Sequence, residues 1–219
     1  MQILTSSVGR KILMSITGQL LIIFVLIHLI GNSTIFFGAL NAYAEHLHAL
    51  PPLVWAFRLF MLCAVAVHIC YGVQITLENK AANPGAYAVN RPLKRSFASE
   101  NMIWTGLILL AFIVYHLLQF TLHATPDVVV AVDALNRPDV FKMVVNSFGN
   151  ALIAIAYMFA MVMLFLHLSH GIPSFLQTMG WNNEKTIPVF GTGGKVVAAI
   201  LMLAYISIPA VILTGLLKL

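Results

Sequence analysis

Residues 11–38, KILMSITGQLLIIFVLIHLIGNSTIFFG, decide the class of fold. The only lysine, arginine or acidic residue in this run is Lys11, at its start. About 20 apolar residues in a helix cross the roughly 30 Å of hydrocarbon in a bilayer. The run is too long, and too polar around Ser15 and Gln19, for a cleaved signal peptide. It therefore predicts a first transmembrane helix.

Four further apolar segments follow, so that the expected helices lie at about 11–38, 52–77, 102–123, 147–172 and 194–217. The composition agrees, since 60% of the 219 residues are hydrophobic and 9% are charged. Soluble domains carry roughly 25% charged residues. The sequence predicts an all-α membrane protein in which 1–219 form one domain, with five transmembrane helices in a bundle and no internal repeat.

The positive charges are unevenly divided between the two ends of these helices. Of twelve basic residues, eight fall on the N-terminal side: Arg10, Lys11, Lys80, Arg91, Lys94, Arg95, Lys185 and Lys195. Basic residues favour the cytoplasmic side, so the N-terminus is predicted to be cytoplasmic. The bias also accounts for the net charge of +5, and no pattern typical of nucleic-acid binding accompanies it.

The segments between the helices divide between the two sides. The cytoplasmic side has 78–100 and 173–193, which are long enough to dock a partner protein. The outer side has 39–51 and 124–146, and residues 139–146 are predicted to form a short surface helix.

Four of the five predicted helices carry histidine well inside the membrane: His28, His68, His116, and His167 with His170. For any single histidine, a hydrogen bond to a neighbouring helix is an equally good explanation. Four helices with such residues favour a shared function, because ionisable groups inside membranes are uncommon. Neutral imidazoles on facing helices can hold the iron of a haem between them.

The depth of each histidine predicts how they pair. With a rise of about 1.5 Å per residue, His28 lies ~25 Å and His116 ~22 Å from the inner end of their helices. His68 and His167 both fall in the cytoplasmic half. The two levels differ by roughly 10 Å, which suits two stacked haems.

A short motif supports the inner pair. His68-Ile-Cys-Tyr-Gly72 and His167-Leu-Ser-His-Gly171 are both H-x-x-x-G, and a glycine one turn from a ligand leaves room for a porphyrin. Small residues are also common wherever membrane helices pack closely. The motif favours His167 over His170 as the ligand, and leaves His170 for a haem propionate or a partner interface.

Several motifs together resemble the dihaem cytochrome b anchor subunit of succinate:quinone oxidoreductases and quinol:fumarate reductases, in its single-chain, five-helix form. They are Gly9-Arg-Lys-Ile-Leu-Met-Ser-Ile-Thr-Gly18, His28-Leu-Ile-Gly-Asn32, Asn41-Ala-Tyr-Ala44, His68-x-x-x-Gly72, Tyr115-His-Leu-Leu, His167-Leu-Ser-His-Gly171 and Gln177-Thr-Met-Gly180. The resemblance implies two haem b groups. It assigns His68 and His167 to the inner haem iron, and His28 and His116 to the outer one.

The resemblance also implies partners and a location. An iron–sulfur subunit and a flavoprotein with FAD would dock on the cytoplasmic face and carry out the dicarboxylate chemistry. This chain would be the quinone-reactive subunit of that oxidoreductase, in a bacterial inner membrane, with menaquinone as the expected quinone. A dimer of the whole complex also falls within the resemblance.

Some site residues are expected on weaker grounds. Glu45 is the only carboxylate of the first outer loop and is the candidate for proton exchange with quinone, although the loop's polar residues also suit helix capping. Ser15 is a candidate propionate or second-layer group. Phe165 stands where some fumarate reductases carry a glutamate in a proton path, so such a path would need another route.

Two other readings remain open from the sequence. The chain could anchor a different respiratory dehydrogenase, although those anchors resemble four-helix chains with several ligands on fewer helices. It could also be a haem-free transporter or structural anchor with a histidine relay. That reading predicts acidic residues inside the helices, and none of the seven aspartate and glutamate residues lies deep within a predicted helix.

Overall fold

The computed structural model describes residues 6–82 and 96–219, which form eight α-helices and no sheet. The helices are α1 (Ser7–Ser33), α2 (Leu40–His48), α3 (Pro51–Ala81), α4 (Phe97–Glu100), α5 (Met102–Phe120), α6 (Val140–Gly149), α7 (Ala151–Thr178) and α8 (Thr186–Leu213). A 3-10 helix, Thr34–Phe37, extends α1. Arg91, Lys94 and Arg95, used above for the charge bias, lie outside the described residues.

Five helices are long and apolar enough to cross a membrane: α1 with its 3-10 extension, α3, α5, α7 and α8. Large apolar side chains cover their outer surfaces, among them Ile30, Leu152 and Leu203, which are all exposed. Such a surface is stable when its solvent is lipid. The predicted all-α membrane fold with five spanning helices is confirmed.

Side-chain caps fix where several helices begin. The Ser6 side chain accepts a hydrogen bond from the Gly9 amide, and the Asn150 side chain accepts one from the Leu152 amide. Such caps satisfy amides that lack a partner in the first turn. Asn150 thereby separates α6 from α7, so the fourth span starts at Ala151 and not at 147.

Four of the spanning helices form a ring. Helix α1 packs against α3 and α7, and α5 packs against the same two helices. Helices α1 and α5 are therefore diagonal to each other, as are α3 and α7. Helix α8 lies outside this ring against α7 and α1.

An ion pair ties two helix ends at one side of the bundle. The Arg10 guanidinium near the start of α1 lies 2.9 Å from the Glu78 carboxylate near the end of α3. Both residues were expected at the cytoplasmic boundary. The contact agrees with an antiparallel α1–α3 pair whose polar ends share one side.

The predicted cytoplasmic loop at 173–193 is wrong in extent. Helix α7 continues through Pro173 to Thr178, and α8 begins at Thr186, so residues 179–185 alone connect them. A β-carbon on Gly194 would lie 2.9 Å from the Pro173 side chain, which shows how closely α8 approaches α7 there. Close packing on α8 stabilises the helix across the proline, and proline was misread as a helix end.

The other predicted bounds shift by a few residues. The spans expected at 11–38, 52–77 and 102–123 are found at 7–37, 51–81 and 102–120. The expected surface helix at 139–146 is α6, with Asp139 as its N-cap. Helix α2 lies in the outer segment that was expected to be a loop.

The outer segments are held together by Asn41 of α2. Its side-chain nitrogen donates to the carboxylates of Asp133 and Asp139, at 3.3 and 3.0 Å. Its side-chain oxygen accepts from the Phe141 amide at 2.8 Å. The Asn41-Ala-Tyr-Ala44 motif therefore docks α2 onto the loop that precedes α6.

The same motif contacts α1 through Tyr43. A β-carbon on Gly31 would overlap the hydroxyl group of Tyr43, so only glycine allows this ring to lie on α1.

We expect Gly31→Ala to displace Tyr43 and to lower the thermal unfolding midpoint in detergent, since overpacking of this kind costs about 1–3 kcal/mol. Gly149→Ala is the matched control, because a β-carbon at Gly149 meets no atom of residues 6–82 and 96–219 within 4 Å. Equal midpoints for both variants would contradict the close contact.

Asp133 predicts an acid-sensitive outer loop. The Arg137 side chain, which donates to the Asp133 carboxylate, lowers the pKa of that carboxyl to about 2. The unfolded value is about 3.9. Ionised Asp133 therefore stabilises the fold above about pH 4, and this contribution is lost as the pH falls toward 2.

The measurement compares unfolding midpoints of the wild type and Asp133→Asn between pH 5 and pH 2. The wild type should be more stable at pH 5, and the difference should close as the pH falls. A constant difference across this range would show that the Asp133 charge has no such role.

Candidate functional site

The four intramembrane histidines form two pairs. The ring centroids of His28 and His116 lie 5.9 Å apart, and those of His68 and His167 lie 6.3 Å apart. Each pair joins two diagonal helices, α1 with α5 and α3 with α7. These are the two pairs that the depth argument predicts, and their role as ligands stays a prediction at this point.

Hydrogen bonds fix the tautomers of the inner pair. Nδ1 of His68 lies 3.0 Å from the Met14 carbonyl oxygen, which can only accept. Nδ1 of His167 lies 3.1 Å from the Thr105 hydroxyl oxygen, which is also within hydrogen-bond distance of the Asn101 and Met102 carbonyls of its own helix. Nδ1 of His68 therefore carries the proton, and Nδ1 of His167 does so when the Thr105 hydroxyl donates to one of those carbonyls, which leaves the Nε2 lone pair of each ring unprotonated.

The outer pair has one histidine fixed in the same way. Nδ1 of His116 lies 3.2 Å from the Tyr157 hydroxyl, which donates its proton to the side-chain oxygen of Gln119. Nδ1 of His116 must then be the donor, and its Nε2 is free. His28 stacks on Phe24, with ring centroids 5.4 Å apart, and lies near the ring of Tyr205.

The donor set fits haem iron better than a bare ion. Two imidazoles that bind one metal through bonds of about 2.0 Å have centroids about 6 Å apart, close to both observed separations. A bare ion usually needs three or four protein ligands. Within residues 6–82 and 96–219, no three histidine, cysteine or acidic side chains are grouped to hold one. Haem iron needs only two protein ligands, because the porphyrin supplies the rest.

The glycines that touch the inner histidines were not predicted. A β-carbon on Gly18 would lie 3.0 Å from Cε1 of His68, and one on Gly106 would lie 3.5 Å from Cε1 of His167. The motif glycines Gly72 and Gly171 touch neither ring. Among the described residues, a β-carbon on Gly72 would meet only the Met14 sulfur at 3.9 Å, and one on Gly171 would meet nothing within 4 Å.

An internal repeat explains these glycines, so the expectation of no repeat is wrong. Residues 17–28, TGQLLIIFVLIH, and residues 105–116, TGLILLAFIVYH, share the pattern T-G-x5-F-x3-H. Each glycine faces the inner histidine of the next spanning helix, and each phenylalanine lies against the histidine one turn later. Helices α3 and α7 share the H-x-x-x-G motif in turn. The helix pair α1–α3 therefore matches the helix pair α5–α7 in sequence.

The repeat also gives a second measure of the distance between the two levels. Gly18 marks the inner level on α1, and His28 follows ten residues later. Gly106 and His116 have the same spacing on α5. Ten residues of helix rise about 15 Å along the helix axis, compared with the roughly 10 Å expected along the membrane normal. The smaller value counts from assumed helix ends, whereas the larger one counts from Gly18, whose β-carbon would touch the His68 ring.

The other predicted residues are spread around these pairs. Ser15 is buried on α1, next to Met14, whose carbonyl holds His68. His170 is half-buried on α7, three residues after His167. Glu45 is exposed on α2, at the outer side. Phe165 packs with the buried cluster around Leu168.

Arg10 is an inner-side residue that the sequence did not single out for the site. Its side chain is 15% exposed, and its Nε atom is buried without a hydrogen-bond partner within residues 6–82 and 96–219. It lies one turn before Met14 on α1. A buried cation with an unused donor suits an anionic group such as a haem propionate.

A buried chain of hydrogen bonds was also missed at the outer side. The Gln119 side-chain nitrogen donates to the Asp127 carboxylate, and the Ser147 hydroxyl donates to the same oxygen at 2.8 Å. Gln119 and Ser147 are both 0% exposed. Burial opposes ionisation of Asp127, but the hydrogen bonds outweigh it and hold the pKa of its carboxyl below the ordinary value.

Comparison with known proteins identifies the family. The sequence model of the family of succinate dehydrogenase/fumarate reductase transmembrane subunits matches residues 78–208, which are 131 of the 219 residues. The match includes His116 and His167. No curated protein and no solved structure matches the chain significantly. The chain is a multi-pass membrane protein that belongs to the family of succinate dehydrogenase/fumarate reductase transmembrane subunits.

Proposed function

We propose that this chain carries electrons between membrane menaquinone and the iron–sulfur subunit of a succinate dehydrogenase or fumarate reductase, through two haem b groups. The observation that carries the proposal is the pair of histidine contacts joining diagonal helices. In three of the four rings, Nδ1 is hydrogen-bonded to the protein, and Nε2 has no hydrogen-bond partner among residues 6–82 and 96–219. Metal-binding histidines have this pattern, because the Nδ1 bond orients the ring and strengthens its lone pair.

Each haem would be held by two of these rings. His68 and His167 are the proposed ligands of the inner iron, and His28 and His116 those of the outer iron. Arg10, Ser15 and His170 are proposed to serve propionates or the surroundings of the inner group. Bound haem supplies reversible one-electron transfer, and the chain's own residues orient it and exclude water.

The two proposed haems lie at levels about 15 Å apart along the helices, so electron transfer across the membrane is divided into shorter steps. Quinone chemistry moves two electrons with protons, so one-electron carriers must pass them singly. The same arrangement serves quinol oxidation and quinone reduction.

The quinone is proposed to bind at the outer side. Glu45 is the candidate for proton exchange there, since it is an exposed carboxylate on α2, which is docked onto α1 through Tyr43. Menaquinone is the quinone that the family resemblance favours. Phe165 cannot take part in proton transfer, so any compensating proton path must avoid this position of α7.

The partners are proposed on the opposite, cytoplasmic side. The iron–sulfur subunit would dock near the inner histidine pair, with the FAD-bearing flavoprotein beyond it, and dicarboxylate chemistry would occur in that partner. The charge bias supports a cytoplasmic N-terminus in a bacterial inner membrane. The whole complex is free to form a dimer.

Removing one ligand from each pair tests the assignment. We expect the purified wild type to contain two b haems per chain by pyridine haemochrome quantitation. His68→Ala and His116→Ala should each retain one haem, with different reduced-minus-oxidised spectra, because each change leaves the other pair intact.

His46→Ala is the control, since this histidine is exposed on α2 and, within the described residues, is hydrogen-bonded only to the Ala42 carbonyl of its own helix. It should retain both haems. A wild-type chain that binds no haem, or the loss of the same component in both ligand variants, would refute the proposal.

The glycine contacts make a second test. Gly18→Ala should lower occupancy of the inner haem, because its β-carbon would lie 3.0 Å from the His68 ring and would displace it. Gly106→Ala should have a smaller effect at His167, where the corresponding distance is 3.5 Å. Haem content and midpoint potential would be measured for each variant.

Gly72→Ala is the matched control, because its β-carbon would meet only a methionine sulfur at 3.9 Å. If Gly72→Ala reduced inner haem content as strongly as Gly18→Ala, the ring contact would not be the cause.

A further inference from the structure

A continuous chain of hydrogen bonds runs from the outer histidine pair to a carboxylate outside the membrane span. It passes from His116 to Tyr157, then to Gln119, and ends at Asp127 in the loop after α5. Tyr157 and Gln119 are buried, and Gln119 is 0% exposed. These hydrogen bonds connect α5 and the loop that follows it with α7, which lies further along the sequence.

Asp127 determines the direction in which protons are donated along these hydrogen bonds. An ionised carboxylate can only accept hydrogen bonds, so the amide nitrogen of Gln119 must point at Asp127. The Gln119 oxygen then faces Tyr157 and accepts its hydroxyl proton. The tyrosine oxygen is left to accept from Nδ1 of His116. Every bond in the chain therefore donates toward Asp127.

We propose that Asp127, acting through Gln119 and Tyr157, is a positioning residue that sets the tautomer and electron density of the His116 ring and thereby lowers the reduction potential of the outer haem. This inference rests on the proposed haem-binding function. The anionic end strengthens each acceptor in turn, because hydrogen bonds in series polarise one another. A more electron-rich axial imidazole favours ferric over ferrous iron.

A purely structural role is the alternative. Asp127 also accepts from Ser147, and the Asn146 side chain donates to its backbone carbonyl at 2.8 Å, so it pins the loop to α6. A structural anchor would affect stability without selecting one haem. The two roles are separable, because only the Gln119 branch leads to a histidine.

The test is a potentiometric titration of the full chain with its haems in detergent, combined with thermal unfolding. Asp127→Asn retains an acceptor for Gln119 and Ser147 but removes the charge. We expect the equilibrium constant for reduction of the outer haem to rise severalfold, with the inner haem unchanged. Tyr157→Phe, which deprives His116 of its Nδ1 partner, should raise that constant at least tenfold, or about 59 mV for one electron.

Two variants serve as controls. Asp133→Asn removes another carboxylate of the same outer loop, one that is bonded to Arg137 and Asn41. Ser147→Ala removes the hydrogen bond from Ser147 to Asp127 and leaves the one from Gln119 intact. Both should lower the unfolding midpoint while leaving the outer potential within a twofold change.

In the titration, the outer haem is identified as the spectral component that is missing from the His116→Ala variant. If Asp127→Asn lowers stability but leaves both potentials unchanged, Asp127 is only a loop anchor and the inference is overturned. If both potentials move together, the effect is general and the inference is also overturned. A wild type without haem would instead refute the proposed function, on which the inference depends.

Discussion

A buried imidazole in a membrane needs a partner for its N–H group, and this requirement organises the bundle. Water is absent from the hydrocarbon, so the partner must come from another part of the chain. Met14, Thr105 and Tyr157 supply it from neighbouring helices. Each bond fixes one ring in position and in tautomer. The orientation of three of the four rings therefore follows from this constraint.

The sequence predicts the helices well because a long apolar run has one stable outcome in lipid. Helix ends are less predictable, since Pro173 ends a helix in isolation but is tolerated where α8 packs on it. Depth along single helices is enough to pair the histidines. The partners of their rings, such as Tyr157 and Gln119, depend on which faces of two helices meet, and one helix's pattern does not contain that information. Gly18 and Gly106 were detectable, because they recur at a fixed distance before a histidine.

The two halves of the bundle differ most at the outer side. Tyr157 stands ten residues before His167, and the matching position before His68 is Arg58. Tyr157 bonds to His116, whereas Arg58 lies within 3.2 Å of Nε2 of His48 and over the ring of Trp55. In the aligned repeat, the position of Gln119 on α5 corresponds to that of Gly31 on α1, and Gly31 accommodates the ring of Tyr43. The outer pair is therefore asymmetric, with a polar chain on one side and close aromatic packing on the other.

The repeat has a consequence for how such a protein could arise. Helices α1 and α5 run in the same direction, so the two halves are related by an axis along the membrane normal. Each histidine pair takes one residue from each half, so under the proposed function neither half alone would supply both ligands of a haem. A two-helix ancestor with the same histidines would then have completed each pair only as a homodimer, with the pair on its symmetry axis. Gene duplication and fusion would have allowed the two copies to diverge, and Tyr157 and Arg58 now differ at matching positions.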